Sequence, residues 1–161
     1  MGTAIHQAIE DNLRELDVYD DTFELEIEVG NEELMGHVDL YIPDRGEVVD
    51  WKTSKIKSLK YFPSKQQRWQ VMLYGYLLKQ AGRTVNNVTL VGIPRDGSEL
   101  DIKTHTEPYD EDIALEALDW LKEVKSLTVI PDAEKDISFC KHYCGYFDPT
   151  GKTGCTSKLR G

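Results

Sequence analysis

The chain has 161 residues, of which 40% are hydrophobic and 30% charged, and a formal net charge of −10. That length suits one domain able to bury its own core, and the composition is that of a globular protein, not of a collagenous, disordered or membrane-spanning one. The sign of the charge excludes a protein that coats nucleic acid by bulk attraction. With no membrane-length apolar run and no leader-like N-terminus, the cytoplasm is the expected location.

In chain order, residues 3–16 carry Ile5, Ile9, Leu13 and Leu16 at helical spacing behind Thr3, a suitable N-cap. Over residues 22–29, Phe23, Leu25, Ile27 and Val29 alternate with Thr22, Glu24, Glu26 and Glu28. That period of two predicts a half-buried strand with the glutamates on its solvated face. Residues 34–42 and 47–53 read as two more strands joined by the turn Pro43-Asp44-Arg45-Gly46. A helix is expected over 64–81, closed by Gly82, then an apolar strand over 88–93 and another over 100–106 after the Asp96-Gly97 turn. A last helix is expected over 110–124, and beyond Pro131 the periodicity is lost. The order predicts an α/β layered core over 1–130, because a sheet needs helices to cover its faces, followed by a Cys-rich module over 131–161.

The hairpin carries the chemistry. With its turn centred between Asp44 and Arg45, Asp39 stands opposite Asp50, and such opposed residues have Cβ atoms about 4.5–5.5 Å apart. Two carboxylates held that close repel unless a cation lies between them, and hard oxygen ligands suit Mg²⁺ or Mn²⁺. Lys52, two residues after Asp50, projects from the same strand face, while Trp51 points to the other. An ammonium there is placed to orient a water and to stabilise charge developing on a phosphate. Val48, Val49 and Trp51 make this strand apolar, so its charges sit where charge seldom serves stability. For a histidine partner, His6 and His37 both qualify on physical grounds.

From Lys52 to Arg68 the chain places six basic residues (Lys52, Lys55, Lys57, Lys60, Lys65 and Arg68) and no acidic one, with Tyr61 and Phe62 among them. Charge runs are commonly solvated loops, but this one follows the candidate strand directly. Gln70 and Tyr74 are one helical turn apart and share a face. The three cysteines, Cys140, Cys144 and Cys155, form no even set for a disulfide framework and leave metal binding open, with His142 beside them.

Gly2-Thr-Ala-Ile-His6, Gly36-His-Val-Asp39, Asp50-Trp-Lys52-Thr53 and Gln70-Val-Met-Leu-Tyr74 resemble, in order, the G-x-x-x-H, G-x-x-D, D-x-K-T and Q-x-x-x-Y motifs of the RecB-like branch of PD-(D/E)XK nucleases. The resemblance implies a restriction-endonuclease-like core with a central mixed sheet, and a Mg²⁺- or Mn²⁺-dependent deoxyribonuclease, an exonuclease before an endonuclease. By it, His6, Asp39, Asp50 and the Trp51 carbonyl are metal ligands and Lys52 is the catalytic lysine. Gln70 and Tyr74 contact the DNA, and Lys55, Lys57, Lys60 and Arg68 form a phosphate-tracking rim, with Tyr61 or Phe62 as stacking surfaces. It also implies DNA ends or single strands as substrate and a helicase, recombination or CRISPR-adaptation partner. Relatives with a Cys-rich end hold a [4Fe-4S] cluster; here Cys140, Cys144 and Cys155 supply three ligands, or with His142 a Zn²⁺ site. The competing expectation is a non-catalytic DNA-end-binding or assembly module on the same fold, which the acidic net charge favours.

Overall fold

The computed structural model describes residues 2–16 and 22–128; the cysteines and His142 lie outside the described residues. The chain divides into two compact units, residues 1–121 and 122–161, and the described part of the second is the end of the last helix through residue 128.

Helix α1 (Gly2–Leu16) is followed by strands β1 (Glu24–Gly30), β2 (Met35–Ile42) and β3 (Glu47–Ser54), helix α2 (Lys65–Gln80), strands β4 (Asn87–Pro94) and β5 (Lys103–Pro108), and helix α3 (Glu111–Ser126). The strands form one sheet in the order β1-β2-β3-β4-β5. Only the β3/β4 pair is parallel; the others are antiparallel, so the sheet is mixed. A parallel neighbour needs a crossover, and α2 supplies it.

The ends of α2 follow from local chemistry. Ser64 and Gln67 form a reciprocal capping box at its start, with Gln67 N–H donating to Ser64 Oγ at 3.3 Å and Ser64 N–H donating to Gln67 Oε1 at 2.7 Å. At its far end Gly82 takes φ = +81°, a left-handed conformation open to glycine, just past the last helical residues. Val71, Met72, Leu77 and Leu78 of α2 bury against Val48, Val88 and Leu90 of the central strands. Met72 is 0% exposed, and Met72→Ala is expected to lower unfolding stability by about 2–5 kcal/mol in urea denaturation.

Three expectations shift. Thr3 lies inside α1, not before it, and the stripe residues Ile5, Ile9 and Leu13 are half-buried. The strand placed over 100–106 begins only at Lys103, because Glu99–Asp101 winds into a 3₁₀ turn closed by Ser98 and Asp101. The basic run is not an open loop: Ile56–Tyr61 is a 3₁₀ helix whose Leu59 is 2% exposed. Leu59 and Phe62 seat over Gly92, where an added Cβ would stand 2.9 Å from Leu59 Cδ2. That seating holds the run beside the end of β3 and leaves Lys55, Lys57 and Lys60 exposed.

The β1/β2 ladder contains an irregularity that matters for the site. Its pairs include Leu25↔Leu40 and Ile27↔Val38 but skip Glu26 and Asp39. Val38 and Tyr41 both reach the core although they differ by an odd number of residues, so the alternation changes phase between them. Opposite that point Glu26 has φ = +50°, the sole positive φ on a non-glycine among the described residues. Such a backbone costs on the order of 1–3 kcal/mol and persists only where its surroundings enforce it.

Candidate active site

The β2/β3 pairing is the register read from the turn: Ile42↔Glu47, Tyr41↔Val48 and Leu40↔Val49. The main-chain ladder ends there. At the next position Asp39 Oδ2 accepts a hydrogen bond from the Trp51 N–H at 2.8 Å, so a side chain continues where the backbone pairing stops. Asp39 and Asp50 thus lie where the two strands part, 8% and 2% exposed.

Lys52 Nζ donates to Asp50 Oδ1 at 2.9 Å and stands 2.7 Å from Oδ2. The second approach is not aligned as a hydrogen bond, and Asp50 Oδ2 is buried with no hydrogen-bond partner among the described residues. Burial pushes the Asp50 carboxyl up, against the pull of Lys52 and His6. Asp39 is pushed from 3.8 up to about 7, by burial first and by the charge of Asp50 second, with the Trp51 N–H acting against them. Two buried carboxyls, one pushed up by the charge of the other, suit a hard cation. Among the described residues no three His, Cys, Asp or Glu side chains stand in metal-binding geometry.

α1 and α2 bring further groups to this place. His6 Nδ1 is 4.0 Å from Asp39 Oδ1, and its ring meets Trp51 edge-on with centroids 6.4 Å apart. His37 instead faces Glu28 at 3.8 Å on the exposed β1/β2 surface, so the fold brings His6, and not His37, to Asp39. From α2, Gln70 Nε2 donates to the Tyr74 hydroxyl at 2.6 Å. Burial raises the Tyr74 hydroxyl pKa, and the charges of Asp50, Asp39 and Glu26 raise it further, so the phenol keeps its proton beside these carboxyls. Gln70 and Tyr74 also line a groove of about 240 Å³ with Trp69, Leu73 and Trp120.

Tyr74 explains Gly36. A Cβ on Gly36 would stand 2.6 Å from Tyr74 Cε1, so the ring rests against bare backbone of β2. Gly36→Ala is therefore expected to displace Tyr74 and break its hydrogen bond with Gln70. Misplacement by about 1 Å near a reacting centre can cost as much as 10²-fold, and a defect of that order in nucleic-acid cleavage is the expected outcome. Equal cleavage by Gly36→Ala and wild type would remove Tyr74 from the site.

The basic residues do not all stay free. Arg68 is held by Glu107, with Nε at 2.7 Å from Oε1 and an Nη at 2.5 Å from Oε2, and lines grooves other than the one beside His6 and Asp39. Lys60 lies 4.5 Å over the ring of Tyr61, which is 72% exposed, whereas Phe62 packs against the core. Of the two expected stacking surfaces, Tyr61 is the accessible one.

Two carboxyls outside the expected site set reach this place, and Glu26 among them was expected on a solvated face. Glu10 and Glu26 line a cleft of about 560 Å³ with His6, Gln7, Asp39, Trp51, Lys52 and Thr53. Glu10 is one helical turn beyond His6 and so shares its face, a signal that could have found it. Glu26 was hidden among the alternating acids of β1 and does not belong to their solvated face.

The described core is a mixed sheet covered by helices, whose central hairpin parts at two buried aspartates beside a lysine. The family model for the PD-(D/E)XK nuclease superfamily matches residues 3–148, and the chain belongs to that superfamily. Its members generally use divalent metal ions such as Mg²⁺. The fold is similar to that of SSO0001, with a TM-score of 0.54 and 20% identity, over 89% of this chain and 68% of that one. It is also similar to an alkaline exonuclease (LHK-Exo) from Laribacter hongkongensis, with a TM-score of 0.50 and 12% identity, over 78% and 67% of the respective chains. A phage-related exonuclease from Haemophilus somnus 129PT gives a TM-score of 0.46 at 16% identity, over 74% and 71%. No curated protein matches the chain. Among the described residues no helix is long and apolar enough to cross a membrane.

Proposed function

We propose that this chain is a metal-dependent deoxyribonuclease that hydrolyses phosphodiester bonds, acting as an exonuclease on DNA ends or single strands. The observation that carries the reading is the buried Asp50, ion-paired to Lys52 and set beside a second buried carboxyl, Asp39. Asp39, Asp50, His6 and the Trp51 carbonyl would hold a Mg²⁺ or Mn²⁺ ion, which when bound supplies positive charge and lowers the pKa of a coordinated water.

The chain's own groups do the rest. Lys52 offers an ammonium on the carboxylate face, where it orients a water by hydrogen bonding and offsets negative charge that grows on the phosphate. Gln70 and the protonated Tyr74 hydroxyl offer neutral donors to the same strand of DNA, with no added charge to desolvate. Lys55, Lys57 and Lys60 track the backbone that leads away from the site, and Tyr61 offers a base a stacking face. The exonuclease reading rests on the motif series from Gly2 to Tyr74. A core over 1–130 with a separate Cys-rich module over 131–161 belongs to the same reading.

The test is cleavage of end-labelled single- and double-stranded DNA with Mg²⁺, Mn²⁺ or EDTA. Ion-dependent release of mononucleotides or short products from ends is expected. Binding of ends with no ion-dependent cleavage by an intact chain would select the non-catalytic module instead.

A further inference from the structure

Among the described side chains of α1, the one that is buried is not apolar but Glu10, 8% exposed. A carboxyl taken out of water needs a partner, and an amphipathic helix ordinarily seats itself by its aliphatic stripe. Here the stripe stays half-buried and the carboxyl goes in. Glu26 lines the same cleft, and its carboxyl, after burial, pushes the Glu10 carboxyl pKa up. Two carboxyl groups can share a hydrogen bond only when one of them carries a proton. Glu26 in turn sits at the strained position of β1, opposite Asp39, where the ladder skips a pair. Backbone strain confined to a cleft that also holds His6, Asp39 and Lys52 marks a constrained functional position more readily than an accident of folding.

We propose that the Glu10–Glu26 carboxyl pair is a positioning device that seats α1 on the sheet and thereby holds His6 beside Asp39. Glu10 and His6 are separated by one helical turn, so they move together with the helix. The ring contact with Trp51 and the 4.0 Å approach to Asp39 are weak tethers for His6. The strained backbone turns the Glu26 carboxyl into the cleft to meet Glu10. The pair touches no reacting atom in this assignment; it acts through His6. The inference rests on the nuclease reading only for the purpose that His6 serves.

The test is hydrogen–deuterium exchange of the full chain in EDTA, with wild type, Glu10→Ala, Glu10→Gln and Glu26→Gln compared. Glu10→Ala is expected to lower the protection of amides in Gly2–Leu16 by about tenfold or more, with the core strands unchanged. Either single Gln variant restores protection, because an amide donates to the remaining carboxylate without a borrowed proton. In cleavage, Glu10→Ala needs several-fold more Mg²⁺ for half-maximal rate, and Glu10→Gln returns toward wild type; a general loss of stability would not produce that split. Unchanged exchange of α1 in Glu10→Ala, or no rescue by either Gln variant, overturns the proposal. Failure of the nuclease reading has a different signature, equal cleavage by wild type and Lys52→Ala, and leaves the exchange result standing.

Discussion

Lys52→Ala is expected to fold as the wild type does and to lose DNA cleavage by about 10²–10³-fold, the range seen when one preorganised charge donor is removed from a reacting centre. The side chain is partly exposed and makes its described contacts with Asp50, so its removal opens no core cavity. What is lost is an ammonium 2.7–2.9 Å from a buried carboxylate, held where phosphate charge would develop. Lys52→Arg should not restore the rate, because a planar guanidinium cannot take the place of a compact ammonium in this cleft. Asp50→Asn should be at least as damaging. Single-turnover rates with labelled DNA, at saturating Mn²⁺, read the effect; rates within a few-fold of wild type would sink the mechanism.

Asp39→Asn should stabilise the ion-free protein while abolishing its response to divalent ions. The Asp39 carboxyl is raised from 3.8 to about 7, so the fold favours its protonated form. That contribution is fully present below the unfolded value near 3.8 and is lost as the pH rises through about 7. At about pH 8 the ionised group is therefore a cost to the folded state, bounded by the shift at roughly 4 kcal/mol. Asn keeps an acceptor for the Trp51 N–H and carries no charge. In EDTA the thermal midpoint of the variant should exceed that of wild type by a margin that grows between about pH 4 and 7 and then levels off. Mg²⁺ should raise the wild-type midpoint, more at pH 8 than at pH 5, and leave the variant unmoved. Equal midpoints in EDTA at pH 8 would show that no carboxylate repulsion is stored there.

Much of this site is local in the chain, which is why it was legible. Asp50 and Lys52 share a face because a strand repeats every two residues, and the turn at 43–46 sets the register that brings Asp39 to the point, beside Asp50, where the ladder ends. The end of α2 followed from Gly82, and its start is fixed by Ser64, residues whose chemistry acts on their own neighbours. The choice between His6 and His37 could not be made this way. Both lie within reach in sequence terms, and only the packing of α1 over the parted strands puts one of them against Asp39.

Arg68 shows the opposite limit. In the sequence it extends a basic run, but in the fold it meets Glu107, 39 residues away, and its charge is taken up there. Gly36 and Tyr74 were separate motif letters until the sheet brought the ring down on the bare backbone. Glu26 carried no signal, since its neighbours Glu24 and Glu28 repeat its chemistry and a positive φ leaves no mark in composition.

The sequence by itself determined most of the elements, the hairpin register and the placing of Lys52 on the face of Asp50, because these depend on turn chemistry and on strand and helix periods that act over a few residues. Only the tertiary structure decided which cations stay free and which glutamates enter the cleft. Those outcomes depend on contacts between segments far apart in the chain, where burial and charge are set by what packs alongside and not by the neighbours in sequence.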